Sequence, residues 1–396
     1  MKFPIYLDYQ ATTPVDPRVL EAMLPFFSEQ FGNPASRTHV FGWRAAEAVD
    51  VARAQVAALL GARSPEEIAF TSGATESDNL ALKGVARACR DKGGHVVTVA
   101  TEHRAVLDGC KRLEEDGLRV TYLPVDKHGM VSPDAVRAAI TGGTVLVSVM
   151  AANNEVGTLA PLAEIGRITR ERGVLLHTDA AQAVGKIQID VEALGVDLLS
   201  LSAHKLCGPK GVGALYVRRG VRLSPQMDGG GHEFGLRSGT LNVPGVVGLG
   251  KACDICRLEM AEETARVRTW RDRLHAEIAG ALDNVSLNGH PAERLAGNLN
   301  LSFAGATADA VMATMKEVAV SSASACTTAA VEPSHVLRAM GVKRLLSHCS
   351  IRFGLGRFTT KEEVDYAARR VIEVVRAVRA MPPMEQLAIV AARDRC

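Results

Sequence analysis

The sequence predicts an α/β fold with a mostly parallel sheet flanked by helices, joined to a smaller α+β domain. Three observations lead there. Short apolar, β-branched runs alternate with helix-length stretches between about residues 50 and 250; several of these runs end in polar residues able to do chemistry; and 396 residues are too many for one ordinary core.

In chain order the strand-like runs are Ile68–Phe70, Val96–Ala100, Val120–Leu123, Val145–Val149, Val174–Leu176, Leu198–Leu201 and Ala214–Val217. Helix-like stretches lie between them, among them Ser77–Arg90, Ala105–Glu115 and Leu162–Glu171. Such βα alternation reads as a parallel sheet covered by its own crossovers. From Val246 to about Gly280 the pattern becomes helical and charged, which suits a connector into a second domain. Beyond it, strand-like Asn298–Phe303 and Ser350–Phe353 mix with helical Ala308–Met315 and Lys361–Ala380, as in an α+β lid. We expect a large domain over 15–257 and a small one from 1–14 plus 258–396, the latter carrying a small-residue loop at about 320–332.

Composition narrows the function classes. A net charge of +2 without a Lys/Arg block argues against a nucleic-acid partner. No stretch approaches a membrane span, and Asp8 interrupts the N-terminus before any export-type apolar run develops. Eight cysteines scattered over a long chain without secretory context read as reduced thiols, so a cytoplasmic location is expected.

Two strand ends carry the strongest chemical signal. The Val174–Leu176 run leads to Asp179, and the Leu198–Leu201 run leads to Ser202-Ala203-His204-Lys205. Both would reach the carboxyl edge of one sheet, where open α/β sheets bind ligands. A lysine that can form an imine and an acid that can keep a pyridine nitrogen protonated are what pyridoxal phosphate requires. Alone, Lys205 reads as a surface lysine and Asp179 as a helix cap. At two strand ends, flanked by Gln182, Ser202 and His204, they read as a cofactor site.

Other strand ends converge on it. Gly73 permits a tight turn into a helix whose N–H groups at Ala74 and Thr75, with the Thr75 hydroxyl, suit a phosphate; taken alone, the segment is equally a capping turn. Asn154 could hydrogen-bond the ring oxygen or a substrate carboxylate, and Asn153-Asn154 is also a common turn pair. His103 could lie on the ring or shuttle protons.

The motifs Leu7–Pro14, Gly32–Ser36, Thr71–Asn79, Thr101–His103, Asn153–Gly157, Ser202–Gly211, Arg237–Thr240 and Ser321–Cys326 together resemble the group I cysteine desulfurases, pyridoxal phosphate enzymes of fold type I. The resemblance covers about residues 5–375 with the motifs in order. It implies conversion of L-cysteine to L-alanine with the sulfur held as a persulfide and passed to an iron-sulfur scaffold or other acceptor protein. It further implies that Lys205 binds the cofactor, Asp179 pairs with its ring nitrogen, Gln182 bonds its phenolic oxygen and His103 stacks on the ring. Ala74, Thr75, Ser202 and His204 would hold the phosphate, joined by Thr240 of a neighbouring protomer in a homodimer. Arg352, assisted by Asn154, would grip the substrate carboxylate.

Cys326 would separate a desulfurase from another pyridoxal phosphate enzyme, such as an aminotransferase. It sits in a run of Ser, Ala and Thr, the reach a sulfur-accepting thiolate needs. Cys253-Asp254-Ile255-Cys256 has CxxC spacing but no second pair nearby and reads as helix, so metal binding is not expected. Cys207 stands where the family often has a larger aromatic residue, Ala323 where its loop commonly has glycine, and Phe234 where arginine is frequent.

Overall fold

The computed structural model describes residues 2–322, 334–382 and 386. Seven strands form its main sheet: β1 (Ile68–Thr71), β2 (His95–Val99), β3 (Arg119–Leu123), β4 (Thr144–Ser148), β5 (Leu175–Asp179), β6 (Leu198–Ser202) and β7 (Gly213–Val217). They lie in the order β1-β7-β6-β5-β4-β2-β3. All pairs from β6 across to β3 are parallel, and β7 alone runs against both its neighbours. The expected mostly parallel sheet is present, and every expected run overlaps a strand.

Burial on both faces explains why these strands read as continuous apolar runs rather than alternating ones. Leu146, Leu198 and Leu215 point to one face, under Leu80, Leu82 and Val85 of the Ala74–Ala88 helix and Val106 and Leu113 of the Arg104–Glu115 helix. Val97, Val147 and Leu199 point to the other, against Val49, Val56 and Leu60 of the Val40–Leu60 helix and Leu249 of the long Val243–Ala281 helix.

The second sheet is antiparallel, in the order Ser321–Ser322, Ser350–Gly354, Asn298–Phe303, Val285–Asn288. Leu299, Leu301, Ile351 and Phe353 bury its inner face against Val364, Val371 and Val375 of the Lys361–Ala380 helix, which starts in a Thr360/Glu363 capping box. The Val243–Ala281 helix serves both cores, with Val246 and Cys253 in the first and Val267, Leu274 and Ile278 in the second. Ile5 and Leu7 also belong to the second core, where Ile5–Tyr6 pairs in parallel with Val318–Ala319. No helix among the described residues is long and apolar enough to cross a membrane.

Candidate active site

The carboxyl ends of β1, β2, β4, β5 and β6 open onto one cavity of about 530 Å³. Ala74, Thr75, His103, Asn154, Asp179, Gln182, Ser202, His204 and Lys205 line it, and Arg352 reaches it from the second sheet. Thr240 is exposed and is not among the lining residues. Cys326 and Ala323 lie outside the described residues.

At the β1 end, Gly73 is the N-cap of the Ala74–Ala88 helix and adopts φ +155°, a conformation that favours glycine. No side chain caps this helix, so its first N–H groups remain for a ligand. A Cβ on Gly73 would lie 3.6 Å from Ser202 Oγ, inside the space the turn leaves open. Strand β7 passes close behind: a Cβ on Gly213 would meet Gly73 Cα at 2.7 Å. His204 Nδ1 pairs with Thr12 Oγ1 at 3.0 Å, and burial, aided by the Lys205 and Lys210 charges, pushes the ring down to about 4. It therefore faces the cavity as a neutral imidazole.

Asp179, the last residue of β5, is buried, and its Oδ1 accepts from Ala181 N–H at 2.9 Å. Burial raises its carboxyl, opposed by the Ala181 N–H and the Lys205 charge. A cationic ring nitrogen delivered to this carboxylate would complete that opposition. His103 caps the Arg104–Glu115 helix, its Nδ1 accepting from Ala105 N–H at 3.2 Å, which leaves the ring proton on Nε2. Ligand atoms of Asp78, His103 and Asp179 lie within 4.8 Å of one another.

The sequence reading missed Asp78 and Glu102. Asp78 is fully buried, has no hydrogen-bond partner on either oxygen, and lies 3.6 Å from His177 Nε2. Burial first, and then the Asp179 charge, hold it well above the usual carboxylate range. Glu102 accepts from Met150 N–H at 2.6 Å, and burial raises it likewise. Asp78 shares the buried face of its helix with Ser77, Ala81 and Val85, a spacing that could have flagged it.

At the β6 end, Lys205 Nζ donates to the carbonyls of Gln10 and Ala11 at 2.5 and 2.7 Å. Gln182 Nε2 donates to the same Gln10 carbonyl at 2.9 Å. Arg352 is 4 % exposed; its Nη1 donates to Asn154 O at 2.9 Å and its Nη2 to Asp8 Oδ1 at 2.8 Å. It sits mid-strand, paired with Asn300 on one side and Ser321 on the other.

Cys253, Cys256 and Cys207 are structural in setting. Cys253 and Cys256 are buried in the long helix, and burial raises both thiols. Cys207 is buried too, at φ 60°, with its N–H donating to Thr13 Oγ1 at 2.9 Å. Phe234 covers Arg53, whose guanidinium carbon lies 5.1 Å from the ring centre.

Pyridoxal phosphate fits these residues: a lysine and a buried acid across a cavity of cofactor size, an uncapped helix start, and neutral His204 beside it. The class follows. The aminotransferase class-V profile matches residues 5–367, and that family uses this cofactor. A cysteine desulfurase IscS from Anaeromyxobacter sp. (strain Fw109-5) is 60% identical over 98% of this chain and 96% of its own. Another from Rickettsia peacockii is 52% identical over 98% and 95%. Among solved structures, a NifS-like protein superposes with TM-score 0.88 at 39% identity, covering 94% of this chain and all of its own. SspA in complex with cysteine gives 0.79 at 38%, covering 90% and 100%. The chain belongs to the cysteine desulfurases of the class-V aminotransferase family.

Proposed function

We propose that this desulfurase takes sulfur from L-cysteine onto Cys326 and hands the persulfide to an iron-sulfur scaffold or another acceptor protein, leaving L-alanine. The observation that carries the reading is Lys205 and Asp179 at neighbouring strand ends across one cavity, with Arg352 entering from the second sheet.

When bound, pyridoxal phosphate supplies an electron sink for charge developing at the substrate Cα. Lys205 would hold it covalently and, once free, move the Cα proton. Asp179 would keep the ring nitrogen protonated, Gln182 would donate to the phenolic oxygen and His103 would cover the ring. Ala74, Thr75, Ser202 and His204 would hold the phosphate, with Thr240 of a second copy. Arg352 would pair with the substrate carboxylate, a bidentate contact that orients the thiol side chain, and the adjacent Asn154 would assist. Attack by Cys326 Sγ forms the S–S bond and breaks the substrate C–S bond. The carbon that loses sulfur takes a proton, and cysteine becomes alanine.

Leu20, Leu24, Phe27, Phe31, Phe41 and Trp43 are all exposed within the first 43 residues, and so many exposed large apolar side chains support a homodimer. The two hydrophobic cores, divided near the middle of the Val243–Ala281 helix, support domains of 15–257 and of 1–14 plus 258–396. Free thiols at the described cysteines support a cytoplasmic setting. Incubation with sulfur-labelled cysteine, followed by peptide mass mapping, tests the activity. The label is expected on Cys326 and lost in Cys326→Ser; sustained alanine production by that variant would refute the role.

A further inference from the structure

Gln182 has a second basic neighbour. Lys186 Nζ donates to Gln182 Oε1 at 3.1 Å, while Gln182 Nε2 donates to the Gln10 carbonyl that also receives Lys205. Lys186 lines a smaller chamber behind the main cavity, together with Lys205, Cys207, Cys256, Glu263 and Arg357. Its backbone is pinned on both sides: Lys186 N–H donates to Ala183 O at 3.0 Å, and Thr264 of the long helix donates to Lys186 O at 3.0 Å. Gly185, at φ +73°, makes that turn against Cys256, whose Sγ would lie 2.7 Å from a Cβ there.

We propose that Lys186 is a positioning residue for the cofactor: its ammonium fixes the Gln182 carboxamide with the oxygen turned to the rear chamber and an N–H turned to the phenolic oxygen of the bound ring. This rests on the reading that Gln182 meets that oxygen.

An ammonium has donors only, so its partner must be the amide oxygen. Flipping the amide would set NH₂ against NH₃⁺ and one carbonyl against another at Gln10. Of the two Gln182 N–H bonds, one is taken by Gln10 and the other is left for the cavity that Gln182 lines. A charged donor on the amide oxygen also polarises the amide and strengthens its N–H as a donor. Burial pushes the Lys186 amine down only to about 8, with Glu263 facing the same chamber, so the charge persists at neutral pH.

The test compares wild type, Lys186→Met, Gln182→Ala and the double variant, each loaded with pyridoxal phosphate. It reads cofactor dissociation and the pH midpoint of the visible absorption band. A donor at the phenolic oxygen drains charge that would otherwise hold a proton on the lysine linkage. Losing it is expected to raise the midpoint by about half a unit or more and weaken retention roughly tenfold. Lys186→Met should do so alone and add nothing in the Gln182→Ala background. Gln182→Glu, which keeps an acceptor for Lys186 but loses the donor, should shift the midpoint at least as far as Gln182→Ala. A shift in Gln182→Ala with Lys186→Met behaving as wild type would overturn the proposal alone, as would a full Lys186→Met effect without Gln182. An unshifted Gln182→Ala would overturn the underlying reading of Gln182 as well.

Discussion

Asp8 holds Arg352: its Oδ1 accepts from Arg352 Nη2 at 2.8 Å, and its Oδ2 accepts from Ser321 Oγ at 2.8 Å. One carboxylate thus braces the proposed substrate-binding arginine and the last described strand before residue 323. Arg352 Nε, buried and without a hydrogen-bond partner, depends on that brace for its orientation. Asp8→Ala is expected to raise KM for cysteine about tenfold while changing kcat by less than about threefold. Steady-state kinetics on alanine release checks the split.

Gly213 and Gly73 bring β7 against the phosphate-cradling turn, with 2.7 Å between Gly73 Cα and any Cβ added at Gly213. The added Cβ also meets the Leu201 carbonyl oxygen at 2.4 Å, so Gly213→Ala must shift the backbone of β6, the turn or both at the cavity edge. Cofactor affinity is expected to fall at least roughly tenfold, a loss of about 1.4 kcal/mol, as read by titration of the apoprotein.

Arg53 and Glu233 form a buried bidentate pair at 2.8 Å on both arms, and Glu233 also accepts from Phe70 N–H at 2.6 Å. Removing one partner leaves an uncompensated buried charge. Glu233→Ala is expected to destabilise the protein by about 3–5 kcal/mol, measured by denaturant unfolding.

Glu155 is raised to about 7, first by burial, with the Ser334 hydroxyl and the Arg352 charge opposing. An acid whose folded value lies above its unfolded one stabilises fully at low pH. That contribution fades as pH rises from the unfolded value near 4.5 through about 7. Over this window, wild type should lose about 3 kcal/mol relative to Glu155→Gln. Unfolding free energies of both proteins at pH 4.5 and 8 check the sign.

Much of the large sheet was legible because strands buried on both faces are predominantly apolar, as Val96–Val99 is apart from Thr98 and Leu198–Leu201 apart from Ser200. Lys205 and Asp179 stood out because each follows such a run within a few residues, through Ser202-Ala203-His204 and His177-Thr178. The Val40–Leu60 helix did not, since alanines and valines are spread around it and some of its large residues stay exposed, Phe41 and Trp43 among them. Asp78 looked like any helical acid until Asp179 and His177 closed over it. Arg352 entered only through family resemblance, because a pairing with Asp8 across 344 positions has no local sign.

Everything in the proposed chemistry depends on which amine carries the cofactor. Borohydride reduction of the pyridoxal phosphate-loaded protein, followed by digestion and mass mapping, locates it directly. The account requires the phosphopyridoxyl group on Lys205; its appearance on Lys186 or Lys210, which border the same cavities, or on no lysine at all, would contradict it.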